Sequence, residues 1–195
     1  GQAISFCSVG EKEILEEIKH EKIPVIFISG HFSNFELMAM QIEMSGVDLA
    51  AIYRPLNNTF LNVLMERIRK KYICKNQIKK GTGGIRELLK LYKKGHSIAL
   101  MIDQRVSEGI KSKFFNQDAF TTTIPAQFIK KFNCKVVPIY IERHNEINFH
   151  IKIEKPIEFL KTDTREKITR DLNIWLEKTI LKNPREWIWS HDRWK

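Results

Sequence analysis

The stretch Pro24–Ser29, PVIFIS, is an unbroken apolar run of strand length that stops at Gly30-His31. A strand with one wet face alternates polar and apolar residues. A run without alternation needs cover on both faces, as strands of parallel sheets have. Ser97–Ile102 is a second such run and leads into Asp103-Gln104. Segments of helical spacing lie around them: Glu11–Lys19, Ser33–Met44, Asn58–Lys71, a helix opened by Gly81–Gly84, Pro125–Phe132 and Thr164–Leu181. Further strands are expected at Asp48–Arg54, Tyr72–Cys74, Lys135–Ile141 and Phe149–Ile153, and Arg105–Phe120 reads as a loop. The alternation predicts an α/β fold with a central, largely parallel sheet flanked by helices. The polar turn His144–Asn148 predicts an antiparallel edge to that sheet. Neither a repeat nor a linker interrupts the chain, so a single domain over residues 1–195 is expected.

Apolar residues make up 43% of the chain, enough for a core and too many for a disordered protein. No apolar run approaches the roughly 20 residues of a spanning helix. Cys7, Cys74 and Cys134 are odd in number and far apart, which argues for a reducing compartment and against a disulfide framework or zinc site. No metal or cofactor is predicted. The net charge of +10 calls for an acidic partner. Between Thr59 and Lys80, seven basic residues face one acid, a local excess of +6. A solvated lysine-rich helix face accounts for it equally well. Nucleic acid is disfavoured, because no zinc-finger spacing, ribonucleoprotein motif or basic zipper is present.

Ligands of open α/β sheets bind beyond the carboxyl ends of the strands. Three strands here end in polar residues: Ser29-Gly30-His31 with Glu36 following, Tyr53-Arg54, and Asp103-Gln104. His31 stands where a base is useful, and Gly30 allows a sharp turn. Glu36, five residues on, reads either as holding one ring nitrogen while the other accepts a proton or as an incidental neighbour. Arg54 reads either as an anion contact or as a surface ion pair, and Asp103-Gln104 either as site floor or as a loop cap. A serine hydrolase is disfavoured by the lack of a G-x-S-x-G elbow. Gly81–Gly84 lacks the Lys-Ser/Thr pair of a Walker loop. Thr121–Thr123 reads as a helix cap. Trp187, Trp189 and Trp194 read as packing residues that would also suit a membrane interface, and His191 as a structural hydrogen-bonding residue or a second functional histidine.

The segment GHFSNFE at Gly30–Glu36 resembles the H-x4-(D/E) motif of the glycerolipid acyltransferase superfamily. The ordered series adds YRPLNN at Tyr53–Asn58, GGIR at Gly83–Arg86, IDQ at Ile102–Gln104, TTTIPAQF at Thr121–Phe128, VVPIY at Val136–Tyr140 and WIWSHDRWK at Trp187–Lys195. The series is similar to the late acyltransferases of lipid A biosynthesis, and covers essentially the whole chain. The resemblance implies a glycerolipid-acyltransferase-like fold. It implies an O-acyltransferase that moves a fatty acyl chain from acyl carrier protein to a hydroxyl of a phosphorylated lipid A precursor, on the cytoplasmic face of the bacterial inner membrane. His31 would be the general base and Glu36 its orienting carboxylate. The oxyanion would meet backbone N–H groups near Ser33, or Arg54, which could instead hold a phosphate. Asn58 and Arg86 would contact acceptor or phosphate, and Asp103 and Gln104 would shape the site. Expected partners are acyl carrier protein, the glycolipid acceptor and an anionic membrane surface, without nucleic acid. Members of this branch carry further residues ahead of these motifs, including a membrane anchor, so residues 1–195 are expected to be the catalytic portion of a longer chain. A related glycolipid acceptor, such as a mannosylated phosphatidylinositol, and a non-catalytic basic lipid- or nucleic-acid-binding module are the alternatives.

Overall fold

The computed structural model describes residues 9–145 and 147–194. Cys7 and Lys195 lie outside them. The elements are α1 (Val9–Glu21), β1 (Ile26–Ser29), α2 (Glu36–Met44), β2 (Leu49–Tyr53), α3 (Thr59–Tyr72), β3 (Asn76–Lys79), α4 (Thr82–Lys93), β4 (Ser97–Met101), β5 (Ile110–Phe114), β6 (Gln117–Thr121), α5 (Ile124–Phe132), β7 (Val136–Arg143), β8 (Phe149–Ile153) and α6 (Arg165–Lys182).

Six strands form one sheet in the order β3-β2-β4-β1-β7-β8. The first five are parallel, and β8 pairs antiparallel with β7. The α/β class, the mostly parallel sheet and its antiparallel edge are therefore as the alternation predicts. Both uninterrupted runs lie at the centre. All four residues of β1 are buried, as are the first six of β7. β4 returns from the outer strands to fill the gap between β2 and β1. The chain then leaves on the other side of β1 through β7. The carboxyl ends of β1 and β4 thus meet where the winding reverses, the usual place for a ligand crevice.

Two expectations change. Tyr72–Cys74 is not a strand, because α3 continues through Tyr72 and both Ile73 and Cys74 donate backbone N–H groups to the Arg69 carbonyl. The edge strand follows at Asn76–Lys79. Nor is Arg105–Phe120 merely a loop. It holds all but the last residue of the β5–β6 hairpin, closed by Phe115 and Asn116, both at positive φ (49° and 61°). The hairpin packs on α6.

Helix α3 reverses the usual amphipathic order. Asn62, Glu66 and Arg69 turn toward the protein. The Asn62 carbonyl oxygen accepts from Leu56 N at 2.9 Å, and Glu66 accepts from the Tyr53 hydroxyl and the Asn62 amide. Phe60, Leu61, Val63, Leu64 and Tyr72 are exposed, Phe60 to 86%.

Candidate active site

The parallel pairing of β1 with β4 sets the site. Ser29 lies opposite Met101. Continuing that register two residues past the strand ends brings His31 beside Asp103. The Asp103 carboxylate takes three N–H groups. Oδ1 is 2.8 Å from His31 Nδ1, while Oδ2 accepts from His31 N at 2.7 Å and from the Trp187 indole at 2.9 Å. Asp103 is 1% exposed. Burial alone would raise its pKa, but the His31 ring and backbone N–H and the Trp187 indole outweigh it, so the carboxyl titrates below the usual range. An ionised Asp103 fixes the proton on Nδ1 and leaves the Nε2 lone pair outward. That tautomer follows from the acceptor-only character of a carboxylate.

Gly30 serves space rather than turning. Its φ is not positive, and a Cβ there would lie 3.0 Å from Leu176 Cδ1, 3.0 Å from Phe32 Cε2 and 3.3 Å from Asp103 Oδ2. The left-handed residue is Ser33 (φ 40°). The C-terminal segment pins this loop: Ser33 N donates to the Glu186 carbonyl at 2.7 Å and Ile188 N to the His31 carbonyl at 2.9 Å. The Ser33 N–H is therefore engaged within the fold rather than free for an oxyanion.

Glu36 does not hold the His31 ring as expected. His31–Phe35 lies outside any regular helix, so Glu36 begins α2 instead of standing one turn above the histidine. The Phe35 ring packs edge-on against His31 at 4.7 Å. Glu36 Oε1 instead accepts from Arg69 Nε at 2.7 Å and lies 2.7 Å from Nη2. The third guanidinium nitrogen, Nη1, is buried without a partner. The sequence offered Arg69 only as one charge of the basic cluster.

Gln104 is half-buried beside the pair. Its amide nitrogen is 3.4 Å from His31 Nε2 and 3.0 Å from His191 Nε2. The two histidine rings are 5.7 Å apart. His191, exposed, therefore stands at the mouth of the site. Arg54 is exposed just past β2, on the same sheet edge as His31. Asn58 caps α3, accepting from Phe60 N and Leu61 N at 3.1 Å each. Arg86 is exposed on α4. Among the described residues, none of these last three bonds to the His31–Asp103 pair.

Of two further residues, one read from the sequence as packing and one passed over, the first supports the carboxylate directly and the second lies buried near it. Trp187 is buried and donates to it, a role that the tryptophan-rich terminus did not reveal. Arg193 is fully buried and donates to the Phe120 carbonyl at 2.8 Å and to Thr121 Oγ1 at 2.6 Å. Burial lowers its pKa to about 10, against the pull of Asp103. Trp189 packs edge-on against Trp187 at 4.6 Å and lines an apolar cleft of about 280 Å³ with Phe115, Ile180, Leu181, Pro184 and Trp194. Among the described residues, no cluster of His, Cys, Asp or Glu is arranged to hold a metal ion, and no helix is long and apolar enough to cross a membrane.

A buried carboxylate that holds a histidine ring at the crevice of a parallel sheet is an arrangement that general-base chemistry can use. Residues 3–195 match the bacterial lipid A biosynthesis acyltransferases, and the chain belongs to that family. It is 22% identical over 181 residues to lipid A biosynthesis acyltransferase 2 of Shigella flexneri, covering 91% of this chain. The chain spans 57% of that relative's length.

Proposed function

We propose that this chain transfers a fatty acyl group from the thioester of an acyl carrier protein to a hydroxyl of a phosphorylated lipid A precursor, at the cytoplasmic face of the bacterial inner membrane. The observation that carries the reading is the 2.8 Å contact between His31 Nδ1 and buried Asp103. His31 Nε2 removes the acceptor hydroxyl proton as the oxygen attacks the thioester carbonyl. The tetrahedral oxyanion collapses, the C–S bond breaks, and the carrier thiolate takes the proton back from His31. The ester and the free carrier thiol are the products, and no covalent enzyme intermediate is needed. Asp103 acts through His31 as a positioning residue and stabilises the imidazolium. Gln104 swings from Nε2 as the hydroxyl arrives, which its long 3.4 Å contact permits. The apolar cleft beside Trp189 suits an acyl chain. Arg54, exposed at the same sheet edge as His31, suits the phosphates of the acceptor or of the carrier's pantetheine arm.

The test is acyl transfer from acyl carrier protein to a lipid A precursor in detergent, with a coenzyme A thioester and a mannosylated phosphatidylinositol as competing donor and acceptor. His31→Ala is expected to lower turnover on the order of 10²–10⁴-fold. Near-normal turnover in the folded variant would refute the assignment.

A further inference from the structure

Helix α3 carries an apolar stripe that nothing among the described residues covers. Phe60, Leu64 and Ile68 recur at four-residue spacing, and with Leu61 and Tyr72 they span about 120° of the helix at 3.6 residues per turn. Their exposures run from 39% for Ile68 to 86% for Phe60. The stripe matches the core-facing stripe of an ordinary surface helix, yet here the polar side faces inward. Asn62, Glu66 and Arg69 are tied to Leu56 N, Tyr53 and Glu36, so the helix is fixed in this orientation rather than turned by accident. Contiguous exposed apolar surface of this kind marks an interaction site.

The charges choose the occupant. Arg67 and Lys70 are exposed along one margin of the stripe, Lys71 stands at its C-terminal end over the Tyr72 ring, and Lys75 and Lys80 continue beyond the helix. An apolar face flanked by cations fits an interface that is hydrocarbon at one depth and anionic at the next. We infer that α3 is the seat by which this chain lies on an anionic lipid bilayer, with Phe60, Leu61, Leu64, Ile68 and Tyr72 entering the acyl boundary and the flanking cations meeting lipid phosphates. An acidic protein would satisfy the cations but would need an apolar groove of its own to cover five large side chains.

The seat adjoins the site. Arg69, on the opposite side of α3, grips Glu36, which begins the helix following His31. A bilayer against the outer face of α3 lies on the flank from which a lipid acceptor would approach. That consequence rests on the proposed acyl transfer, whereas the seat itself does not.

The experiment is flotation of the 195-residue chain with vesicles of phosphatidylcholine alone or mixed with phosphatidylglycerol, read without any transfer assay. The chain is expected to float with the anionic vesicles. Phe60→Ser with Leu64→Ser should weaken that partitioning at least about tenfold, with an unchanged circular dichroism spectrum because both side chains are exposed. Lys70→Gln with Lys71→Gln should weaken it about 10–30-fold on anionic vesicles and leave neutral ones unaffected. Absent flotation with anionic vesicles, or a serine variant that floats like the parent, overturns the inference. So does a parent chain that dimerises through this face, shown by sedimentation that turns monomeric in the serine variant. Loss of acyl carrier protein binding in the serine variant with flotation intact overturns it as well. A chain that floats as expected but transfers no acyl group keeps this inference and refutes the proposed function.

Discussion

Replacing Asp103 with Asn is nearly isosteric, yet it should disable the site through the histidine tautomer. Oδ2 serves two donors, the His31 N–H at 2.7 Å and the Trp187 indole at 2.9 Å, while Oδ1 serves only the ring. An asparagine has one acceptor oxygen. Placed at the Oδ2 position it satisfies both fixed donors, and the amide NH₂ then points at His31 Nδ1. Nδ1 must accept, the ring proton moves to Nε2, and Nε2 can no longer take a proton from the acceptor hydroxyl. The reverse orientation would bury the NH₂ against two N–H donors, at about 1–3 kcal/mol for each unsatisfied group. Loss of the correct tautomer costs on the order of 10⁴-fold in turnover in a comparable histidine–aspartate arrangement, and loss of general-base assistance in general 10²–10⁴-fold. Turnover with saturating acyl carrier thioester should fall by about that range, with little change in KM. ¹⁵N spectra of the imidazole should show the proton moving from Nδ1 to Nε2. A variant that keeps turnover within about threefold, or that retains the Nδ1–H tautomer, would refute this reasoning.

Other outcomes follow from the same geometry. Because Asp103 titrates below its ordinary value, its charge stabilises the fold fully above the unfolded carboxyl pKa of about 3.9 and ceases to do so as pH falls through the folded value. Urea unfolding should therefore show the stability gap between the parent and Asp103→Asn narrowing as pH falls below about 4. Gly30→Ala, which brings a methyl group to 3.0 Å from Leu176 and Phe32, should cost about 1–3 kcal/mol by thermal unfolding, and a neutral result would contradict the packing described. Trp187→Phe keeps the ring buried but removes a hydrogen bond to a charged group. It should cost about 1.5–3 kcal/mol of stability and lower turnover alongside. Cys74, whose thiol burial and Glu43 push up to about 12, and buried Cys134 should resist a thiol reagent in the native state. In a Cys7→Ser variant, stoichiometric labelling before unfolding would contradict that.

The strands were legible because β1 and most of β7 are buried on both faces, β4 is nearly so, and all three read as unbroken apolar runs. Their order was not, since nothing in PVIFIS or SIALM says that β4 returns to sit beside β1. That register decides the histidine's partner. Sequence proximity favours Glu36, five residues from His31, whereas the sheet brings up Asp103 from seventy-two residues away. The β5–β6 hairpin was hidden because its turn places a phenylalanine, Phe115, at positive φ rather than the usual Asn-Gly or Asp-Gly pair. The helical period of α3 was plain, but its orientation was not. An apolar stripe ordinarily faces inward, and only the hydrogen bonds of Asn62, Glu66 and Arg69 show that this one faces out. His31, Asp103 and Gln104 were each named from strand ends, so the edge of the sheet was read correctly while the pairing within it was not.

The central claim is that His31 and Asp103 act as one unit in acyl transfer. A double-mutant cycle on turnover tests it most directly, with His31→Ala, Asp103→Asn and the combined variant assayed on the same carrier thioester and lipid acceptor. Residues that act as a unit are strongly non-additive. The account predicts that the combined variant falls no further than His31→Ala alone. Losses that multiply, as for two independent groups, would contradict it.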